Sequence, residues 1–154
     1  MSELAVYNAN ENESKYIIFK INKEVYAIDV KSVNNIIQMP KITQVPSSPK
    51  YYRGVINLRG EIIPVMSLRR RMNYDDDCFT NSSRIIILNI GEDNLLGIVV
   101  DEVNEVLDIS SKDIEQPSQF IKNDASVVSG VGKIGDMIIS ILSVDSMIGE
   151  RKAS

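Results

Sequence analysis

Residues 54–68 read GVINLRGEIIPVMSL, and this stretch decides the fold. Two apolar runs flank a two-residue polar turn, Arg59-Gly60, which is the pattern of a tight β-hairpin. The glycine supplies the positive φ that such a turn demands. The turn makes no demand for arginine, since Asn or Asp beside Gly60 would serve as well. Arg59 is therefore a candidate for contact with a partner.

Working outward, the same order of blocks occurs twice. YIIFKIN at 16–22 is matched by RIIILNI at 84–90, an offset of 68. AIDVKSVNNIIQM at 27–39 is matched by GIVVDEVNEVLDI at 97–109, an offset of 70, so that Val33-Asn34 falls on Val103-Asn104. The opening stretch is matched by GVGKIGDMIISILSV at 130–144, an offset of 76. Three blocks in one order, sharing Gly-Val openings and a Val-Asn pair, indicate an internal duplication. Each half supplies about five short strands and few residues for helix. Strands this short must close or stack to hide their edges. The expected fold is mainly β: two small five-stranded barrels packed side by side, with short helical turns. The first barrel is expected mainly in residues 15–82 and the second mainly in 83–150, with strands free to exchange between them.

Between these blocks the signals are local. Residues 1–14 are polar and read as a flexible leader. Val33, Ile36 and Ile37 have the i, i+3, i+4 spacing of a helical turn, although IIQM suits a strand equally well. Pro40, Pro46 and Pro49 mark an irregular, extended connection. MSLRRRMNY reads as a short helical turn, and LSVDSMIGERK as a short terminal helix. Two lobes related by duplication would meet at a seam lined by equivalent positions, and such grooves are common binding sites. Val33 and Val103 occupy matching places, either near that seam or in the two cores.

Composition excludes more than it suggests. The chain has 154 residues, a net charge of −4 and no histidine. The commonest general base and metal ligand is thus missing, and one thiol, Cys78, cannot build a zinc site or an intrachain disulfide. A reducing cytoplasm is the expected setting. Acidic flanks raise a thiol pKa, so Cys78 in DDDCF is no candidate nucleophile. Gly130 to Gly135 spells G-x-G-x-x-G, but a strand pattern follows where a dinucleotide site needs a helix. Asp75-Asp76-Asp77 lacks the spacing of a calcium loop. Arg69-Arg70-Arg71, the only basic cluster, is expected to be neutralised by those aspartates around a surface turn, which argues against nucleic acid. No apolar run approaches the ~18–20 residues of a membrane helix. No catalytic, cofactor-binding or metal site is therefore assigned, and the chain is expected not to be an enzyme.

YIIFKINKEVYAIDVKSVNNII, ITQVPSSPKYYRGVINLRGEIIPVMSLR, GIVVDEVNEVLDI and GVGKIGDMIISILSVD resemble, in order, the CheW family of chemotaxis coupling proteins. The likeness runs from Lys15 to about Gly149, with GVINLRG as its most specific motif. Related domains in CheA kinases and CheV proteins belong to longer chains with a kinase or receiver domain, so the stand-alone coupling protein is the better match. The resemblance implies two SH3-like barrels forming a CheW-like domain over 15–150. It also implies a cytoplasmic, non-enzymatic adaptor, recruited to membrane-associated receptor arrays. Such an adaptor bridges the cytoplasmic tip of chemoreceptors to the regulatory domain of the CheA histidine kinase. The alternative is a scaffold of this family in another sensory pathway, such as surface motility or second-messenger control. By the family pattern a groove between the barrels takes the receptor, with Val33, Asn35, Gly54, Arg59, Gly60 and Val103 as receptor-side positions. Thr43 and Val45 match the kinase-facing edge. Many family members carry Glu where this chain has Asn35, placed to pair with the NLRG arginine. Asn35 offers Arg59 only a neutral amide oxygen, which leaves the guanidinium freer to seek an anion on a partner.

Overall fold

The computed structural model describes residues 13–116 and 127–148. The expected leader therefore lies outside the described residues, except for Glu13 and Ser14, which already belong to the first strand.

The first hairpin pairs β1 (Glu13–Ile21) with β2 (Glu24–Asp29). Its turn residues, Asn22 and Lys23, both have positive φ, as a two-residue hairpin turn requires. A 3-10 turn over Val30–Ser32, capped by the Asp29 carboxylate on Lys31 N, leads into β3 (Val33–Gln38). The proline-marked connection follows, and then β4 (Tyr52–Leu58), β5 (Glu61–Ser67) and a one-turn helix, α1 (Leu68–Arg71). The second half repeats this order: β6 (Arg84–Asn89), β7 (Leu95–Val100), β8 (Glu102–Ser110), β9 (Ile114–Glu115), β10 (Val128–Ile134), β11 (Met137–Leu142) and α2 (Val144–Ile148). Both helices begin at an equivalent serine: Ser67 Oγ accepts from Arg70 N, and Ser143 Oγ from Ser146 N, each at 3.1 Å.

The sheets do not divide the chain at residue 82. One sheet runs β3-β6-β7-β5-β4 and the other β8-β1-β2-β11-β10-β9. The hairpin that opens each half completes the barrel of the other half. One SH3-like barrel is thus the continuous stretch 33–100, and the second is assembled from 13–29 and 102–142 around it. Each barrel contains one parallel joint, β5 with β7 and β11 with β2.

This exchange follows from where the apolar residues go. The largest core lies between the barrels and takes Ile17, Phe19, Ile21, Tyr26 and Ile28 from one side and Ile86, Leu88, Leu96, Ile98 and Val100 from the other. Residues of alternate parity fill the separate interiors: Ile18, Ala27, Ile109, Ile139 and Ile141 in one barrel, and Ile56, Ile63, Val65, Ile85, Ile87 and Val99 in the other. Strands buried on both faces read as unbroken apolar runs, as YIIFKI and RIIIL do. The first repeat block must also shift by one residue. Ile17 and Phe19 share the central core with Ile86 and Leu88, not with their aligned Ile85 and Ile87, because a one-residue slip exchanges the faces of a strand.

The helical spacing of Val33, Ile36 and Ile37 belongs to a bulged strand. Val33 pairs with Leu88 and Asn35 with Ile87, so Asn34 is the extra residue. The bulge lets Val33 and Ile36 pack on the central core while Ile37 packs inside its own barrel. Asn104 is skipped in the same way between Val103 and Glu105. The shared Val-Asn pair is a duplicated β-bulge.

Candidate functional site

The β4–β5 hairpin turns on Arg59 (φ 53°) and Gly60 (φ 86°), and the Asn57 side-chain oxygen accepts from Gly60 N at 3.0 Å. The left-handed conformation at Arg59 costs a residue with a Cβ about 1–2 kcal/mol relative to the right-handed one. Gly60 is needed for its φ alone, since a Cβ there would meet nothing within 4 Å. Arg59 is exposed, and its guanidinium makes no hydrogen bond or ion pair among the described residues.

Asn35 makes no hydrogen bond to Arg59; its side-chain oxygen accepts from the amide of Ile36 at 2.9 Å. Val33 and Val103 sit at equivalent bulges, half-buried against the central core. The seam between the barrels is filled by that core, with these two valines at its rim.

Gly54 ties the Thr43 segment to the barrel. Thr43 and Val55 exchange two backbone hydrogen bonds of 2.8 Å, and a Cβ on Gly54 (φ 141°) would lie 2.1 Å from the Thr43 carbonyl oxygen. Only glycine permits that approach. Val45 follows as one of the large apolar residues left exposed, with its carbonyl accepting from Ser48 Oγ at 2.9 Å.

The arginine triplet is met only in part by the neighbouring aspartates. Arg70 holds Asp76 through Nε and Nη2, and Arg69 Nη1 donates to the Asp75 carbonyl at 3.3 Å. Arg69 grips Asp101 through Nη2 at 2.7 Å and Nε at 3.1 Å, while Asp101 also accepts from Asn22 N across the barrels. Arg71 lies 5.4 Å from the Tyr51 ring centroid. Burial pushes the Asp101 carboxyl up more than any one partner pulls it down, but the Arg69 hydrogen bonds, the Asn22 amide and the Arg69 charge together hold it below the ordinary carboxylate value. Hydrogen bonds from Arg70 hold Asp76 well below the carboxylate range.

A residue the sequence reading missed completes this cluster. Arg53, the extra residue of the bulge before Gly54, contacts Asp76 and Asp77 through Nη1, each at 3.1 Å. Its guanidinium carbon lies 4.8 Å from the Phe79 ring centroid. A depression of about 270 Å³ opens beside it, lined by Pro40, Ile42, Gln44, Arg53, Arg70 and Phe79. A sequence signal for this face exists. From Val30 to Gly60 the chain carries Lys31, Lys41, Lys50, Arg53 and Arg59 and no acidic residue. The duplicated stretch from Val100 to Asp136 carries eight acidic residues against three basic ones.

Comparison with known proteins gives one family. The CheW-like domain matches residues 15–152. The chain is 33% identical over 140 residues to the chemotaxis protein CheW of Bacillus subtilis (strain 168), covering 90% of this chain and 89% of the relative. It is 28% identical over 148 residues to that of Treponema pallidum (strain Nichols), covering 93% and 86% respectively. Among solved structures it is similar to the scaffolding protein TtCheW from Thermoanaerobacter tengcongensis, with 35% identity and a TM-score of 0.78 over 84% of this chain and 88% of that one.

Proposed function

The chain belongs to the CheW-like family, and from that premise we propose that it is a non-enzymatic adaptor coupling chemoreceptors to the CheA histidine kinase. The observation that carries the reading is the match over residues 15–152, within which the NLRG arginine is presented at an exposed hairpin tip and has no side-chain partner among the described residues. An exposed, uncommitted guanidinium suits an acidic or carbonyl-rich surface on another protein. The receptor side comprises Arg59, Gly60, Asn35 and the rim valines, Val33 and Val103, with Gly54 acting through the backbone it positions. The kinase side comprises Thr43 and Val45, on the segment clipped to Val55.

No helix among the described residues is long and apolar enough to cross a membrane. Recruitment to receptor arrays then rests on protein contacts, whose modest individual strengths multiply through effective concentration. The test is a titration against the regulatory domain of a CheA from the same cell, with Val45→Asp and Arg59→Glu in parallel. One-to-one binding that Val45→Asp weakens by at least ~1–3 kcal/mol, with Arg59→Glu close to wild type, supports the assignment of the two sides. A folded chain that fails to bind at tens of micromolar contradicts the kinase contact.

A further inference from the structure

The depression beside the Thr43 connection is lined by none of the receptor-side or kinase-side residues named above. We propose that it is a docking pocket for an acidic segment of a partner protein, one that presents a carboxylate next to an apolar side chain. The occupant belongs to the protein that covers the Thr43–Val45 edge, and to that extent the proposal rests on the coupling reading.

Size points to a side chain or two and not to a metabolite. At about 270 Å³ the depression falls below the roughly 300–1,000 Å³ of ordinary small-molecule sites. Its walls supply an apolar anchor point from Pro40, Ile42 and the ring of Phe79, which is 44% exposed. Its polar capacity comes from two side chains. Arg53 commits only Nη1, to Asp76 and Asp77, so Nε and Nη2 make no hydrogen bond among the described residues. The Gln44 amide is exposed and equally uncommitted.

The guanidinium is already held in place. The Asp77 side chain beneath it is 2% exposed, and the Phe79 ring lies against its carbon. Donors fixed before binding lose little freedom when a ligand arrives, which favours a planar, bidentate acceptor such as a carboxylate. Asp76 and Asp77 already counter Arg53 and Arg70, so the sign of the ligand follows from Lys41 and Lys50, which adjoin the lining in sequence and make no ion pair among the described residues. Basic edges of this kind also speed the approach of an acidic partner.

The experiment uses the full chain with two probes, the CheA regulatory domain and a pair of blocked peptides, acetyl-Leu-Glu-Leu-amide and acetyl-Leu-Gln-Leu-amide. Gln44→Glu, Gln44→Lys and Phe79→Ser change exposed side chains and are checked for native melting before use. Gln44→Glu and Phe79→Ser should each weaken the domain by about tenfold, the loss of one charge-assisted contact, while Gln44→Lys should leave binding equal or tighter. In 15N spectra the Glu peptide should move the Arg53 Nε–H and Gln44 amide signals at tens of millimolar, and the Gln peptide should not. A domain that binds all variants alike overturns the pocket and leaves the coupling reading intact. If the domain fails to bind the wild type, the coupling reading falls, and the peptides decide the pocket: selective shifts uphold it, and equal or absent shifts overturn it.

Discussion

The two halves of this chain share their backbone devices and differ in what those devices present. Both have a Val-Asn bulge, a Gly-associated bulge, a serine-capped helical turn and an isoleucine beside the hairpin turn, Ile62 and Ile138, that is left mostly exposed. The residue at the second bulge is Arg53 in one half and Ser129 in the other. The hairpin tip is Arg59-Gly60 in one and Gly135-Asp136 in the other. Duplication preserved what the fold requires, and the residues carried at the bulge and the hairpin tip diverged. Binding roles are therefore to be sought where the halves differ, and packing roles where they agree.

That comparison can be broken first at the shared core. Leu88 lies between the barrels, fully buried. Leu88→Ala should cost about 2–5 kcal/mol and lower the melting of both barrels in one transition, as followed by calorimetry. Two separate transitions would mean that the barrels are independent. Next come the equivalent glycines. Gly54→Ala forces a Cβ into the Thr43 carbonyl at a left-handed φ and should cost roughly 2–4 kcal/mol, whereas Gly130→Ala meets the Ile114 Cγ2 methyl at 2.9 Å and the Glu115 carbonyl oxygen at 3.3 Å, with no positive φ, and should cost about 1–2 kcal/mol. Equal losses in denaturant melts would show that the Thr43 clip has no special weight.

The capping serines sharpen the shared side of the comparison. Ser67→Ala and Ser143→Ala should each cost about 1 kcal/mol, and a much larger loss at one would reveal a role beyond the cap. Acid gives the smallest effect. Asp76 is held below its unfolded value, so its ion pairs contribute fully above about pH 4 and fade as the pH falls through the depressed value. Because Asp76 is largely exposed, the loss should be slight and confined to the 75–79 loop. Amide exchange below pH 4 that loosened the core strands before this loop would contradict that assignment.

The duplication, the hairpins, the proline connection and the first helical turn were legible in sequence because each depends on local pattern. The exchange of the opening hairpins was not determined, since YIIFKI and RIIIL are apolar on both faces and fit either barrel. The same uniformity hid the one-residue error in their alignment. The bulge at Asn34 imitated a helical period, because one extra strand residue turns spacing two into spacing three. Arg59 and Gly60 were legible from turn chemistry. Arg53 was not, since an arginine within YYRGV looks like any solvent-facing strand residue. The acid-free run from Val30 to Gly60 was the available signal for its face.

The most direct measurement of the central claim is kinase activity in a reconstituted mixture of receptor, CheA and this chain, with each component omitted in turn. If the chain is the coupling adaptor, CheA activity should follow receptor ligand only when the chain is present, and Arg59→Glu should abolish that dependence while the chain stays folded and bound to the kinase. Kinase activity that responds to the receptor equally well without the chain, or never responds with it, would contradict the account.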